Sequence, residues 1–86
     1  MRDLIGNAPL TASAEAAMRV ADAVQHEPHK GARLLGLLAV ALIALEASRC
    51  NLHDVLGMAR NAMNDAEGRR PEFRAVDAYI RNEILR

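Results

Sequence analysis

The sequence has 86 residues with eleven acidic and eleven basic side chains, so its formal net charge is zero. This balance argues against a general polyanion binder, because non-specific affinity for nucleic acid comes from an excess of positive charge. A single cysteine, Cys50, excludes an internal disulfide framework, and the length fits one domain, 1–86. The single cysteine fits a reducing setting and the N-terminal segment contains no apolar core of signal-peptide length, so we expect a cytoplasmic protein.

Residues 1–10 are expected to form a short N-terminal arm, and the first helix is predicted over 13–27. Thr11 to Ser13 supply a polar cap region, and Pro28 closes the segment. Small apolar residues recur between these signals at helical spacing. They are Ala14, Ala17, Met18, Ala21 and Val24.

The second helix is predicted over 29–49 and is the most apolar part of the chain. Its residues from Leu34 to Leu45 include no polar side chain, and most are alanine or leucine, which are strong helix formers. Arg33 and Glu46 flank a stretch that is shorter than the roughly 20 apolar residues a bilayer requires. We therefore expect no membrane partner.

Two further helices are predicted over 52–67 and 71–85. Asn51 is expected to serve twice, as the left-handed residue that ends the second helix and as the N-cap of the third. Gly68 is expected to end the third helix, and Pro71 fits the first turn of the fourth. The sequence therefore predicts an all-α fold, a compact four-helix bundle-like domain whose central second helix is almost wholly apolar.

That second helix predicts self-association. Successive residues lie about 100° apart around a helix, so its large aliphatic side chains cannot share one face. We expect the third and fourth helices to cover two faces, whereas the alanine-rich first helix covers little. A homodimer would bury the remaining surface, and the alternative is a monomer in which the other three helices suffice. The residues predicted to meet the second copy are Leu37, Val40, Ala44, Ala17 and Ala21.

The histidines and the cysteine form the pairs His26–His29 and Cys50–His53, whose spacing is typical of zinc ligands. A continuous second helix would hold these pairs roughly 30 Å apart, so one chain cannot bring both to a single ion. Cys50 and His53 also resemble a nucleophile and its base, but no third, orienting group follows. We expect no metal, no cofactor and no catalytic residues, and hence a protein that is not an enzyme.

Two sets of polar residues suggest alternative functions, and the first is DNA binding. Asp54 to Ala66 resembles the turn of a helix-turn-helix, in which Arg60, Asn61 and Asn64 would face DNA bases. The apolar stripe, however, continues in phase across Gly57, as it would in one unbroken helix.

The second alternative is a small nucleotide-binding protein that uses the arginines of the fourth helix, Arg70, Arg74 and Arg81. Acidic neighbours at pairing distance favour an ordinary solvated face instead. The interpretation preferred from the sequence is a non-enzymatic protein that acts by contact. It would be a self-associating adaptor, or an inhibitor or regulator of a larger machine, with a protein partner and no favoured nucleic-acid partner.

Overall fold

The computed structural model describes the backbone of residues 2–86 and the side chains of residues 4–86. Within that part of the chain the helices are α1 (Arg2–Gly6), α2 (Leu10–Val24), α3 (Lys30–Ala47), α4 (Leu52–Met63) and α5 (Pro71–Tyr79). A π-helical turn, Ile80–Ile84, continues α5, and two short strands, β1 (Asn64–Asp65) and β2 (Gly68–Arg69), join α4 to α5. The prediction of an all-α chain with little strand is confirmed.

The N-terminal region is more helical than expected, because α1 lies within the segment predicted to be an arm. Helix α2 begins at Leu10, three residues before the predicted start at 13. Pro9 explains the earlier start, since its φ of −63° and extended ψ of 130° suit an N-cap, and the Ser13 hydroxyl donates to the Pro9 carbonyl at 2.7 Å. Pro28 disfavours helical geometry in the residue before it, which fits the end of α2 before 27.

Helix α3 is shorter than the predicted 29–49. His29 is its N-cap, and its Nδ1 accepts the backbone N–H of Ala32 at 3.2 Å. After α3 the left-handed position is Arg49, with a φ of 55°, and not Asn51, whose φ is −73°. The expected left-handed role of Asn51 is therefore wrong. Its expected role as N-cap is confirmed, because its Oδ1 accepts the backbone N–H of Asp54 at 3.1 Å.

We predict that Asn51→Ala lowers the free energy of unfolding by about 1 kcal/mol, as loss of a helix N-cap typically does. Asn61→Ala is the matched control, because Asn61 is exposed on the same helix and its side chain makes no hydrogen bond within the described part of the chain. Urea denaturation of both variants measures the difference. Equal stabilities would show that the Asn51 cap contributes nothing.

Helix α4 is continuous through Gly57, as predicted, but ends at Met63 and not at 67. A tight antiparallel hairpin follows, in which Asn64 pairs with Arg69 and Asp65 with Gly68. Gly68 adopts a φ of +116°, which side-chain-bearing residues rarely do, and Asp65 accepts the backbone N–H of Glu67. These turn-forming residues overcome the helical phase that the sequence continues to Ala66.

The core lies between α2 and α5 and extends to α4. The buried apolar side chains among residues 4–86 are Ala14, Ala21, Val55, Phe73, Val76 and Ile84. Pro71 occupies the first turn of α5, as predicted. The π-helical turn, in which the Leu85 N–H donates to the Ile80 carbonyl, places Ile84 at the centre of this core with 0% exposure.

The expected coverage of the apolar helix by its neighbours is wrong. Helix α4 leaves the end of α3 at an angle of 120°, and α5 packs on α2, so α2 is the principal neighbour of α3. Helix α3 therefore lies at the periphery of the folded chain. In a single copy it is not a central helix. Each predicted helix has a counterpart, but the bundle expected around the second one does not form within the chain.

One arginine fixes the start of α3 against the rest of the molecule. The Arg33 Nε donates to the Glu27 carbonyl, and its Nη1 donates to the Ile84 carbonyl at 2.8 Å. A single half-buried guanidinium thus joins the segment between α2 and α3, the first turn of α3 and the π-helical turn. This link defines where the exposed part of α3 lies relative to the core.

Candidate functional site

The exposed apolar side chains of α3 form the most unusual surface of the molecule. None of the eighteen residues of α3, all of which the structure describes, is buried. We call six of its large aliphatic residues the α3 surface, and each of them is at least 44% exposed. They are Leu34 (45%), Leu35 (68%), Leu38 (49%), Val40 (64%), Leu42 (44%) and Ile43 (64%).

The α3 surface has two sides. At about 100° per residue, Leu34, Leu38 and Leu42 lie within about 80° of one another, with Leu35 beside Leu42. We call these four residues the leucine stripe. Val40 and Ile43 lie on the far side of the helix. Gly36 also faces open space there, because a Cβ atom at Gly36 would meet nothing within 4 Å.

The five residues predicted to meet a second copy differ in their exposure to solvent. Val40 and Ala44 are exposed, whereas Leu37 and Ala17 are half-buried. Ala21 is only 1% exposed and is covered by its own chain, so it is not available to a partner. The leucine stripe was missed, because the sequence reasoning assigned those leucines to contacts with the third and fourth helices.

Charged residues lie only towards the ends of α3. Lys30 and Arg33 are in its first turn and Glu46 is near its last residue, so the side chains between 34 and 45 are all apolar. Within the described part of the chain neither Lys30 nor Glu46 takes part in an ion pair. The α3 surface is thus an apolar area with a positive N-terminal end and a negative C-terminal end.

The histidines and Cys50 do not form a common site. His26, His29 and His53 are exposed, and Cys50 is half-buried at the junction of α3 and α4. The Nδ1 of His29 is already used to cap α3. Among the side chains of residues 4–86, no group of three or more histidine, cysteine, aspartate or glutamate residues is placed to hold a metal ion.

The segment that resembles a helix-turn-helix contains no turn at Gly57, because α4 runs unbroken from Leu52 to Met63. Arg60 and Asn61 are exposed on this helix, but Asn64 lies beyond it in β1. The Asn64 side chain donates to the Arg60 carbonyl at 2.9 Å and accepts from Arg69 at 3.1 Å. Its amide therefore stabilises the hairpin, and the segment does not contain the turn that the resemblance to a helix-turn-helix implies.

The three arginines predicted as phosphate contacts are engaged within the chain. Arg70 donates through Nε and Nη2 to the Asn61 carbonyl, and Arg74 donates to the Arg69 carbonyl. Arg81 pairs with Asp77, which also pairs with Arg69 at 3.0 Å. The structure therefore does not bring the three together as one phosphate site.

Asp77 is the acid around which two arginines are arranged. Hydrogen bonds from Arg81 and then from Arg69 lower the pKa of Asp77 below its ordinary value of 3.8, so the carboxylate is ionised at neutral pH. Tyr79, two residues further along α5, donates its hydroxyl to Asp22 of α2 at 3.1 Å. Partial burial, and then the bond to Asp22, raises the pKa of Tyr79.

The lowered pKa of Asp77 predicts an acid-sensitive contribution to stability. Because the folded chain holds this group with a lower pKa than the unfolded chain, the contribution is complete well above pH 3.8 and is lost as pH falls through the folded-state pKa. We expect Asp77→Asn to have a lower melting temperature than the parent protein at pH 7. The difference between the two melting temperatures should become smaller below pH 3.8. Glu15→Gln, an exposed change on α2, should show no such narrowing, and a gap at Asp77 that is independent of pH would contradict the assignment.

Among the described residues no single helix is long and apolar enough to cross a membrane; α3 and α4 meet that test of length and composition only when taken together across their 120° bend. No protein-family model matches the chain, and comparison with curated proteins and with solved structures finds no significant match.

Proposed function

We propose that this protein acts by protein–protein contact and that it self-associates through α3, as a non-enzymatic adaptor or inhibitor. The observation that carries the proposal is an eighteen-residue helix without a buried side chain and with six large aliphatic residues exposed to solvent. Contiguous apolar areas of this kind on a folded chain mark association sites. Scattered single leucines would need no such explanation.

Energetics support coverage of this surface. Full burial of one leucine or isoleucine side chain contributes about 1.5–3 kcal/mol. The leucine stripe contains four leucines that are 44–68% exposed. A partner that covers the stripe therefore gains about half or more of this free energy for each of the four side chains. Association costs of about 4–15 kcal/mol must be overcome, and an interface that contains the stripe from both copies supplies the larger gain.

A second copy is the partner that the charges of α3 favour. In an antiparallel pair the positive end of one α3, with Lys30, lies near the negative end of the other, with Glu46, and the helix dipoles are also opposed. A two-fold axis near Leu38, which lies midway between these two residues, would bring the two leucine stripes together. Two-fold symmetry closes the assembly at two copies and leaves no open edge for further growth.

Such a dimer would place α3 at the centre of a helical bundle, as the sequence predicts, which a single chain does not do. Each α3 would be covered by α2 on one side and by the second α3 on another, and would become a central apolar helix in a bundle of helices from both copies. The contribution of a second copy explains why a chain of this size carries more apolar surface than its own helices cover.

The far side of α3 supports the adaptor or inhibitor role. Val40 and Ile43 are each 64% exposed and lie away from the leucine stripe, so a dimer formed along the stripe leaves them accessible. The partner that fits this side is a protein with an apolar helix or groove. In this proposal the leucine stripe joins the two copies, and Val40 and Ile43 contact the protein that the dimer regulates.

Light scattering coupled to gel filtration tests self-association. The chain mass is 9.4 kDa, and at micromolar concentration we expect a species of twice that mass that dissociates on dilution. A single species of one chain mass across the same concentrations would contradict the proposal.

A further inference from the structure

A second apolar feature includes no residue of α3 and lies where α5 and its π-helical turn face α2 and the end of α4. It is a partly open cavity of about 450 Å³, a volume within the range of small-molecule sites, which is roughly 300–1,000 Å³. Its walls are formed by Phe73, Val76, Ile80, Leu85 and Met63, with the small side chain of Ala17 on the α2 side.

The rim of the cavity is charged. Arg69, Asp77 and Arg81 all line it, and the two guanidinium groups share the single Asp77 carboxylate. The rim therefore carries one unit of positive charge in excess. Each guanidinium has five N–H donors, of which Arg81 uses its Nε on Asp77, and Arg69 uses Nε on Asp77 and Nη1 on Asn64. Further donors on both arginines remain for an acceptor at the cavity mouth.

We propose that this cavity binds an amphipathic carboxylate, a molecule with a linear aliphatic body and one anionic head. The apolar walls would cover the aliphatic chain, and the head would accept hydrogen bonds from Arg81 and Arg69 beside Asp77. A cation is disfavoured, because the rim is already positive. A neutral alcohol would not compensate the excess charge or take up charge-assisted hydrogen bonds of the same strength.

This site is independent of the proposed self-association. None of the cavity-lining residues belongs to α3, and the charged groups at the rim are not the charges at the ends of that helix. A monomeric variant of the α3 surface should therefore bind the carboxylate as the parent protein does. Failure of one proposal leaves the other to be decided by its own experiment.

Titration calorimetry with decanoate, kept below its micelle-forming concentration, tests the proposal on the full chain. Decanol and decylammonium serve as probes with the same aliphatic body and a neutral or opposite head. We expect one decanoate per chain, weaker binding of decanol and no measurable binding of decylammonium. Arg81→Ala should weaken decanoate binding about tenfold, as loss of a charge-assisted hydrogen bond does. Arg19→Ala, an exposed arginine on α2 away from the cavity, should leave it unchanged.

Two alanine-to-leucine variants, one of which fills the cavity, test whether decanoate binds there. Ala17→Leu places a larger side chain in the cavity and should abolish decanoate binding, whereas Ala16→Leu, on the exposed side of α2, should not. Thermal melting of each variant shows that it is folded. The Arg81→Ala comparison tests the site even where Ala17→Leu fails to fold, because Arg81 is an exposed side chain (72%).

Three results would overturn the proposal. Equal binding of decanoate and decylammonium would show that the charged rim does not select the head. Decanoate binding that survives Ala17→Leu but is lost in Leu38→Glu would place the ligand on the α3 surface. Resonances of Ile80 and Leu85 that change with protein concentration, and not with decanoate, would show that a second copy covers the cavity.

Discussion

Substitution of Leu38 by glutamate is expected to convert the protein to a monomer at micromolar concentration. Leu38 lies near the proposed two-fold axis, and both copies carry the change, so two leucines leave the interface and two carboxylates approach each other there. Each Leu38 is 49% exposed, so association covers about half of a leucine contribution of about 1.5–3 kcal/mol in each copy. At tenfold in affinity for about 1.4 kcal/mol, dimer affinity should fall at least about tenfold from the two leucines, and further because the two carboxylates repel each other. Light scattering over a dilution series measures the shift.

The matched control is Leu4→Glu on α1. Leu4 is 68% exposed, which is more than the 49% of Leu38, so the same chemical change is made at an exposed leucine away from α3. It should leave the dimer intact. Both variants should keep the helical circular dichroism of the parent protein. Equal loss of the dimer in the two variants would show that general hydrophobicity, and not α3, drives association.

Ile84→Ala is expected to be the most destabilising single change in the core. Ile84 is 0% exposed at the π-helical turn, and removal of a buried isoleucine to alanine costs about 2–5 kcal/mol. Small domains have a total stability of about 5–15 kcal/mol, so much of it depends on this residue. Urea denaturation should be measured in the Leu38→Glu background, because unfolding is then not linked to dissociation.

Two further variants serve as an exposed control and as a milder change at position 84. Ile43→Ala makes the same chemical change at a residue that is 64% exposed, and it should cost well under about 1 kcal/mol. Ile84→Val should cost about 0.5–1.5 kcal/mol and remains measurable if the alanine variant does not fold. Similar losses at positions 43 and 84 would show that the π-helical turn does not anchor the core as described.

The helices could be located from the sequence where a local signal defines them. Asn51 caps α4, Pro71 begins α5, and the stripe that crosses Gly57 belongs to one helix, because each of these signals acts within a few residues. The end of α4 was misplaced for the same kind of reason. There two local signals compete, and the turn chemistry from Asn64 to Gly68 outweighs the helical phase that reaches Ala66.

The arrangement of the helices could not be read from the sequence. The direction of α4 depends on the backbone between α3 and α4, where Arg49 adopts a φ of 55°. No composition rule assigns a left-handed conformation to arginine in preference to the following asparagine. Because α4 turns away from α3, the leucines expected to be covered are exposed.

An excess of apolar surface could be anticipated from the sequence, but not which residues of α3 are exposed. A run of twelve apolar residues in so short a chain indicated surplus apolar surface, which the structure places on α3. The sequence could not show which stripe is free, since that depends on which neighbours pack against the helix. The Arg69–Asp77–Arg81 rim was missed because its members are brought together by the hairpin and by successive turns of α5.

The most direct test of self-association through α3 is an isotope-filtered NOE measurement on an equimolar mixture of methyl-labelled and unlabelled chains. It detects only contacts between different copies. We expect cross-peaks between the methyl groups of Leu35, Leu38 and Leu42 of one copy and the leucine stripe of the other. Intermolecular cross-peaks confined to other helices, or none at micromolar to millimolar concentration, would contradict the account.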